Sequence, residues 1–258
     1  MERRWRILLV SEGTSALLKT VMKVSCICPT YNRPPSYQWL VEEAIESFLR
    51  QDYSSKELIV LNDCPGQELI CDAPDVIVIN LPRRFRSIGE KFNAGIALAE
   101  GNIIAPWSDD DIMLPWRLSK SLSRLAGADY YNPGAYWFLD AGGLHKDHAM
   151  GSAHGCSIFT RNAFNLVDGY PHTSEGEDQI LDHRLKSHPN VRQANPSVLR
   201  IDEWYCIYRW GVSPVHLSGR MPHDEWYNQI GQMPVEQGQY FLRPHWKEDY
   251  LSRTRNAL

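Results

Sequence analysis

The sequence lacks three features that would each point to a particular class of protein. Its six cysteines include no CxxC pair, so we interpret all six as reduced thiols of a reducing compartment. No apolar run approaches the ~18–20 residues of a membrane-spanning helix. The net charge of −4 gives no overall attraction to nucleic acid or to anionic membranes. We therefore expect a soluble, cytoplasmic protein with no membrane span and no nucleic-acid partner.

The length of 258 residues allows one large domain with an appendage. The first convincing strand follows Met22, which predicts that residues 1–21 form an N-terminal extension; an added edge strand at 6–10 is the alternative. We predict one domain over residues 22–219, with a first half at about 22–117 and a second half at about 118–219. Residues 220–258 are predicted to form a tail that packs on this domain.

Hydrophobic patterning predicts alternating strands and helices in the first half. Strands are predicted at 24–28, 57–61, 76–79 and 102–106, and helices at 38–51 and 88–100. This order predicts an α/β fold with a mostly parallel central sheet flanked by helices. Ligands of such sheets collect at the carboxyl ends of the strands. Thr30, Asp63 and the triplet Asp109, Asp110 and Asp111 all fall at such ends.

The acidic triplet Asp109, Asp110 and Asp111 directly follows a short apolar strand. Three neighbouring carboxylates repel one another, and burying them without a partner is costly. Mg²⁺ or Mn²⁺ offsets this repulsion and binds carboxylate oxygens together with phosphate oxygens of a substrate. The triplet therefore indicates a divalent-metal site. The alternative is a solvated acidic turn that caps the helix after it.

A basic segment precedes the helix predicted at 88–100. Arg84, Arg86 and Lys91 lie around a helix start that contains Gly89. Cationic side chains and unpaired backbone N–H groups at a helix N-terminus are typical of a diphosphate-binding loop. The alternative interpretation is a solvated charged loop.

Two acidic residues, Glu177 and Asp178, lie at the predicted start of a later helix. A carboxylate on the first turn is kept ionised by the helix N-terminus and suits a general base. The capping-box spacing of Ser174 and Glu177 favours an ordinary helix start as the alternative.

Histidines and aromatic residues crowd the second half. His145, His148 and His154 lie in a glycine-rich loop, but their spacing matches no standard zinc site, so we favour acceptor contacts or a plain loop. Aromatic segments at 130–138 and 204–211 predict a strand pair and a further strand beside the site.

Four motifs and their order together resemble glycosyltransferase family 2. They are CPTYNR at 28–33, ELIVLND at 57–63, GEKFNAGIALAEG at 89–101 and SDDDIMLP at 108–115, followed by Glu177, Asp178 and His216. The resemblance covers roughly residues 22–218. It implies a GT-A fold, a Rossmann-like nucleotide-diphospho-sugar transferase fold, with inversion at the anomeric carbon. It also implies a nucleotide-diphosphate sugar donor, for which we favour a UDP-sugar, and a glycan or other hydroxyl acceptor.

The resemblance also implies roles for individual residues. Asp178, next to Glu177, is the expected catalytic base, and Asp110 is the expected principal ligand of Mn²⁺ or Mg²⁺. The other expected metal ligands are Asp109, Asp111 and His216. The expected donor-binding residues are Pro29, Thr30, Tyr31, Arg33, Asp63, Arg84, Arg86, Lys91, Ser108 and Asp109. Within this set, Asp63 is expected at the nucleobase and Asp109 by the ribose.

Two other functions use similar parts. A sugar-nucleotide nucleotidyltransferase normally carries a glycine-rich loop after its first strand, and the loop at 29–34 has no glycine. A catalytically degenerate sugar- or nucleotide-binding module on the same fold would not need both the acidic triplet and Asp178. We therefore expect a metal-assisted glycosyltransferase.

Overall fold

The computed structural model describes residues 22–147, 153–194, 199–217 and 222–258. The predicted N-terminal extension, its alternative edge strand, His148 and the predicted domain end at 219 lie outside these residues. The strands are β1 (Val24–Thr30), β2 (Lys56–Asn62), β3 (Gln67–Ile70), β4 (Val76–Asn80), β5 (Ile103–Pro106), β6 (Ile112–Met113), β7 (Tyr130–Tyr131), β8 (Tyr136–Asp140), β9 (Gly143–Asp147), β10 (Ile158–Thr160), β11 (Cys206–Arg209) and β12 (Gly238–Phe241). The helices are α1 (Gln38–Leu49), α2 (Ile88–Leu98), α3 (Arg117–Leu125), α4 (Arg161–Leu166), α5 (Glu177–Ser187), α6 (His223–Ile230) and α7 (Tyr250–Asn256), with short 3₁₀ turns at His154–Cys156 and Ile201–Glu203.

The central sheet has six strands in the order β4-β2-β1-β5-β10-β7. The first four are parallel, and β10 runs antiparallel to both β5 and β7. Every residue of β1 is buried, as is typical of a parallel strand covered on both faces. The predicted α/β fold with a mostly parallel sheet is confirmed.

Helices cover the two faces of this sheet in separate cores. Cys26 and Cys28 of β1 pack in a cluster that includes Val41 and Phe48 of α1. Ile27 points to the opposite face, into a cluster that includes Ile96 of α2. This alternation follows from the two-residue period of a strand. Within the described residues, none of the helices has the length and apolarity that crossing a bilayer requires.

A second sheet stands at the carboxyl end of the first. It has four strands in the order β6-β11-β8-β9, with β11 antiparallel to β6 and parallel to β8. The aromatic segment at 130–138 supplies β7 to the central sheet and β8 to this second sheet. The predicted strand pair within this segment is therefore wrong: Gly134 at φ 66° turns the chain, and the two strands pair with different partners.

The segment 222–258 contacts the first half of the domain. Its strand β12 adds to β3 in parallel, with Gly238 beside Gln67 and Phe241 beside Ile70. Further along, the Trp246 indole N–H donates to Ser47 Oγ of α1 at 3.0 Å. The division of the chain into halves and a tail stays a prediction, but these contacts tie residues 238–246 to the elements before residue 71.

Candidate active site

A cavity of about 470 Å³ lies where the carboxyl ends of β1 and β5 meet the second sheet. It brings together these predicted site residues: Pro29, Arg33, Ser108, Asp109, Asp110, Asp111, Glu177, Asp178 and His216. A smaller pocket of about 80 Å³ adjoins it and is lined by Thr30, Tyr31, Arg84 and Lys91, again with Pro29, Arg33 and Asp109. Asp63 and Arg86 line neither space.

Asp109 is fixed by a buried ion pair with the loop that follows β1. The Arg33 guanidinium donates from Nε and Nη2 to the two carboxylate oxygens of Asp109, at 2.8 and 2.7 Å. Thr30 Oγ1 donates to the same carboxylate at 2.5 Å, and Arg33 Nη1 donates to Ser213 Oγ at 2.9 Å. Bidentate pairing of this kind fixes orientation as well as position, so Asp109 is rigidly placed and both its oxygens are engaged.

Asp110 faces His216 across the floor of the cavity. Asp110 Oδ2 lies 3.0 Å from His216 Nδ1, and Ser108 Oγ donates to Asp110 Oδ1 at 2.5 Å. Burial raises the pKa of Asp110, but the His216 hydrogen bond and nearby positive charge outweigh it and hold this pKa well below its usual value. For His216, burial lowers the pKa, and the Asp110 carboxylate reverses this and raises it.

The Asp110–His216 pair fits a divalent cation that has two protein ligands. Adjacent ligands on an octahedral Mg²⁺, which binds at 2.0–2.1 Å, lie roughly 3 Å apart, and these two donor atoms are separated by 3.0 Å. Among the described residues no group of three His, Cys, Asp or Glu side chains could hold a metal ion. The fit therefore requires a substrate or water to supply the remaining ligands.

Asp111 turns away from the other two carboxylates towards strand β11. Its Oδ1 accepts a hydrogen bond from the backbone N–H of Arg209 at 2.8 Å. Burial, together with the charge of Asp110, raises the pKa of Asp111 to about 7. Arg209 Nε also donates to the backbone carbonyl of Asp110, and its Nη1 pairs with the buried Glu43 at 2.5 Å. Arg209 thus anchors the acidic triplet to both β11 and α1.

Lys91 and Asp63 form a second buried ion pair, beneath the small pocket. Lys91 Nζ lies 2.6 Å from Asp63 Oδ1 and donates to the Thr30 carbonyl at 2.6 Å. Asp63 Oδ2 accepts from the Phe85 backbone N–H at 2.9 Å. Both oxygens of Asp63 are therefore occupied, and the pair holds the ends of β1 and β2 and the start of α2 together.

The basic segment splits into one residue at the pocket and one at the surface. The Arg84 guanidinium lies over the rings of Tyr31 and Tyr227, 4.2 and 3.7 Å from their centroids. Arg86 instead pairs with Glu90 at 2.5 Å, and its side chain is 86% exposed. Arg86 is therefore directed to solvent by a helix-surface pair with the residue four positions on.

The expectation of unpaired N–H groups at the start of α2 is wrong. Ser174 Oγ accepts from Ile88 N at 3.0 Å, and the Thr173 carbonyl accepts from Gly89 N at 3.2 Å. The close approach of the start of α2 to residues 171–173 depends on Gly89, because a Cβ there would lie 2.0 Å from the Pro171 carbonyl oxygen. The capping box of Ser174 with Glu177 is also wrong, since the Ser174 hydroxyl accepts from Ile88 N of α2 and the N-cap of α5 is Gly176, at φ 65°.

These contacts between α2 and residues 171–174 help to place the first turn of α5 at the cavity. Glu177 and Asp178 begin the helix, where the dipole favours negative charge. Burial and then the charge of Asp178 raise the pKa of Glu177 well above its ordinary value. Two adjacent carboxyls in different electrostatic environments therefore face the acidic triplet across one cavity.

An aromatic wall, defined by Tyr136, Phe138, Tyr208 and Trp210, closes the other side of the cavity. The rings come from β8 and from β11 and its end, and neighbouring centroids are 5.7–6.2 Å apart. Trp210 also lies 5.5 Å from the His216 ring. Trp210 is 41% exposed, so the wall presents apolar ring surface beside charged groups.

The two described histidines of the glycine-rich loop lie in different environments. His145 is exposed and pairs with Asp140 at 3.1 Å, whereas His154 is buried in a hydrogen-bonded triad. Its Nδ1 lies 2.8 Å from Asp182 Oδ1 and its Nε2 lies 2.5 Å from the Tyr170 hydroxyl. Burial lowers the pKa of His154, and Asp182 outweighs this and raises it.

The model of Glycosyl transferase family 2 matches residues 25–163, slightly more than half of the chain. The chain belongs to this family. The succinoglycan biosynthesis protein ExoO of Rhizobium meliloti is 34% identical over 113 residues, which cover 42% of this chain and 31% of ExoO. The chain spans less than half the length of the curated relatives it matches.

Solved structures of glycosyltransferases share the fold of this family-2 chain. S. aureus TarS in complex with UDP aligns with a TM-score of 0.53 at 19% identity, covering 81% of this chain and 63% of TarS. The mannosyltransferase PcManGT from Pyrobaculum calidifontis, in complex with GDP-Man and Mn²⁺, aligns with a TM-score of 0.50 at 17% identity, covering 78% and 59%. These likenesses confirm the GT-A fold.

Three residues at the candidate site of this family-2 chain were missed in the sequence. Arg209 could have been found, because a charged residue inside an aromatic strand that enters the core must have a buried partner. Ser213 and Tyr227 gave no such signal. They lie beyond the matched region, and only the fold brings them to Arg33 and Arg84.

Proposed function

We propose that this glycosyltransferase moves a sugar from a nucleoside-diphosphate donor, a UDP-sugar, to a hydroxyl of a glycan, with inversion at the anomeric carbon. One observation carries the proposal: the Asp110–His216 pair, the Glu177–Asp178 pair and the aromatic wall all line one cavity. The first pair suits a metal-bound diphosphate, the second a proton transfer and the wall a sugar ring. TarS in complex with UDP and PcManGT in complex with GDP-Man and Mn²⁺ support a nucleotide-sugar donor.

The donor half of the site positions the leaving group. In the proposal, the small pocket holds the nucleoside and the ribose lies near Asp109, whose orientation Arg33 fixes. Asp110 and His216 would hold Mn²⁺ or Mg²⁺, and the ion would supply positive charge to stabilise the diphosphate leaving group. Lys91 holds the end of β1 in place by its hydrogen bond to the Thr30 carbonyl.

The acceptor half of the site supplies the base. The Asp178 carboxylate takes the proton of the acceptor hydroxyl as that oxygen attacks the anomeric carbon. The new C–O bond forms on the face opposite the diphosphate, the bond from the anomeric carbon to the phosphate oxygen breaks, and the nucleoside diphosphate leaves with that electron pair. No covalent bond to the enzyme forms. ExoO is by its name a polysaccharide-biosynthesis protein, which supports a glycan acceptor.

The experiment that tests this function is donor turnover. Purified protein is incubated with UDP-, GDP- and dTDP-sugars, with and without Mn²⁺, and release of the nucleoside diphosphate is followed. We expect Mn²⁺-dependent release from a UDP-sugar. No release, together with no binding of any of the three nucleotides by calorimetry, would overturn the proposal and favour a degenerate module.

The metal assignment has its own test. We expect Asp110→Ala to weaken UDP binding in the presence of Mn²⁺ and to leave Mn²⁺-free binding as in the native protein. Ser174→Ala is a control outside the cavity, since its hydroxyl caps α2. Equal Mn²⁺-dependent UDP affinity in Asp110→Ala and the native protein would remove Asp110 from the metal site.

A further inference from the structure

Resting on the proposed function, we propose that Tyr227 of α6 stacks on the donor nucleobase from the side opposite Tyr31. The base would enter the position between the two rings that the Arg84 guanidinium holds in this structure. The inference assigns a nucleotide-binding residue to the segment after residue 217, outside the region that matches the family.

The small pocket has a mixed polar and apolar lining. Its polar lining includes Thr30, Lys91 and Asp109, and its apolar lining includes Val215, Leu217, Tyr227 and Ile230. Much of the apolar lining therefore comes from the chain after β11 and from α6. Apolar walls with a few fixed polar groups are typical of small-molecule sites.

The small pocket is too small to enclose a nucleoside. The small pocket encloses about 80 Å³, whereas small-molecule sites commonly have 300–1,000 Å³. A nucleoside can enter only if one wall moves. Asp109 and Lys91 are each held in a buried ion pair, so their side of the pocket is rigid.

The Arg84 side chain is the part of the small pocket's wall that can move. Arg84 Nη1 donates to the Tyr227 carbonyl at 2.6 Å. Its Nε is buried and has no hydrogen-bond partner within the described part of the chain. A buried donor without a partner is unfavourable, and this offsets part of what Arg84 loses in hydrogen bonding and ring contacts when an entering base displaces it. The freed guanidinium can then donate to a carbonyl oxygen at the edge of the base.

Displacement of Arg84 would leave a space beside the rings of Tyr31 and Tyr227. The guanidinium is planar, and its carbon lies 4.2 Å from the Tyr31 ring centroid and 3.7 Å from that of Tyr227. Both distances lie within the range of contact between a cation and an aromatic ring. A planar nucleobase in the place of the guanidinium would therefore contact both rings. The Tyr227 hydroxyl donates to the Phe85 carbonyl at 3.2 Å and holds its ring in this position.

The test compares two probes, UDP and inorganic pyrophosphate, each titrated calorimetrically with Mn²⁺ into the full chain. Pyrophosphate has no base. Base–aromatic stacking contributes about 1–3 kcal/mol, so we expect Tyr227→Leu to raise the Kd for UDP by roughly 5- to 150-fold. The Kd for pyrophosphate should not change. Tyr227→Phe, which keeps the ring, should bind UDP with nearly the native Kd.

Tyr240→Leu is a matched control. Tyr240 is buried to a similar degree, 7% against 5% exposed for Tyr227, and its hydroxyl donates to the Glu236 carbonyl, but it lies outside the pocket. We expect native UDP binding from this variant. The inference is overturned if folded Tyr227→Leu binds UDP as the native protein does, or if it loses UDP and pyrophosphate equally. The proposed function fails in a different way, namely if the native protein binds neither probe.

Discussion

On the proposed donor side of the cleft, charged side chains are buried in pairs, whereas on the proposed acceptor side aromatic rings line the cavity partly exposed. Arg33 with Asp109 and Lys91 with Asp63 are ion pairs whose side chains are at most 10% exposed. Trp210 at the end of the aromatic wall is 41% exposed. The two sides share one cavity but differ in how firmly their side chains are held.

In the proposed function, this difference between the two sides matches the requirements of the donor and of the acceptor. A buried ion pair fixes its groups in one geometry, and breaking it leaves an uncompensated charge. Such rigidity suits a donor whose diphosphate must be aligned with the acceptor. Exposed ring surface is unfavourable in water, and a bound ligand that covers it removes this unfavourable exposure. In the proposed function, the aromatic wall would therefore accept sugars of somewhat different shape.

The largest expected effect tests whether the base lies on the acceptor side. We expect Asp178→Asn to lower kcat for transfer by roughly 10²- to 10⁴-fold, with the Kd for UDP unchanged, because the amide cannot accept the proton. The measurement is the initial rate with the best donor, alongside calorimetry. Glu177→Gln is the neighbouring control and should lose less activity. Native turnover by Asp178→Asn would remove it from the mechanism.

The rigidity of the donor side is tested by Lys91→Met. Removing the ammonium leaves Asp63 buried without its charge partner, which costs about 3–5 kcal/mol of the free energy of unfolding. Urea denaturation measures this loss. The comparison variant is Phe138→Leu in the aromatic wall, for which we expect less than about 1.5 kcal/mol. Equal losses from both variants would contradict the contrast between the two sides.

The adaptability of the aromatic wall is tested by Trp210→Ala. Aromatic contacts contribute about 0.5–1.5 kcal/mol beyond burial, so we expect the KM for a glycan acceptor to rise roughly 2- to 10-fold while the donor KM stays constant. Steady-state kinetics with both substrates varied separates the two. Phe241→Ala, exposed outside the cleft, is the control. A rise in the donor KM instead would place Trp210 on the donor side.

The smallest effect concerns His154, a buried ionisable group on the acceptor side. Its pKa is raised from 6.5 because Asp182 outweighs the burial. The protonated form therefore stabilises the fold fully below about pH 6.5, and this contribution is lost as the pH rises through the raised pKa. We expect the stability advantage of the native protein over His154→Gln to shrink from acidic to alkaline pH in urea titrations. An advantage that is constant with pH would contradict the raised pKa, because it requires His154 to have the same pKa in the folded and unfolded chain.

Local pattern predicted much of the fold and part of the site. The apolar runs before Thr30, Asp63 and Asp109 predicted parallel strands, and the carboxyl ends of such strands meet at one edge. That edge carries Asp109, Asp110 and Asp111, and α5 carries Glu177 and Asp178 on its first turn. Periodicity and strand direction are local properties, so the sequence contains them.

What the sequence did not predict depends on contacts between distant segments. Ser174 has the local spacing of a cap for α5, yet it caps α2, because Gly89 lets the two segments approach. Arg86 looks like a phosphate ligand, and Glu90 holds it at the surface instead. Choices of this kind are decided by the nearest partner in space, which one sequence does not reveal.

The parallel pairing of β12 with β3 has a consequence for the order of folding. It joins residues 238–241 to residues 67–70, a separation that makes closure slow compared with local pairing. During synthesis all six strands of the central sheet leave the ribosome before α6 and β12, because they precede them in the chain. Donor recognition through Tyr227 would then mature last, after the acidic triplet is already in place.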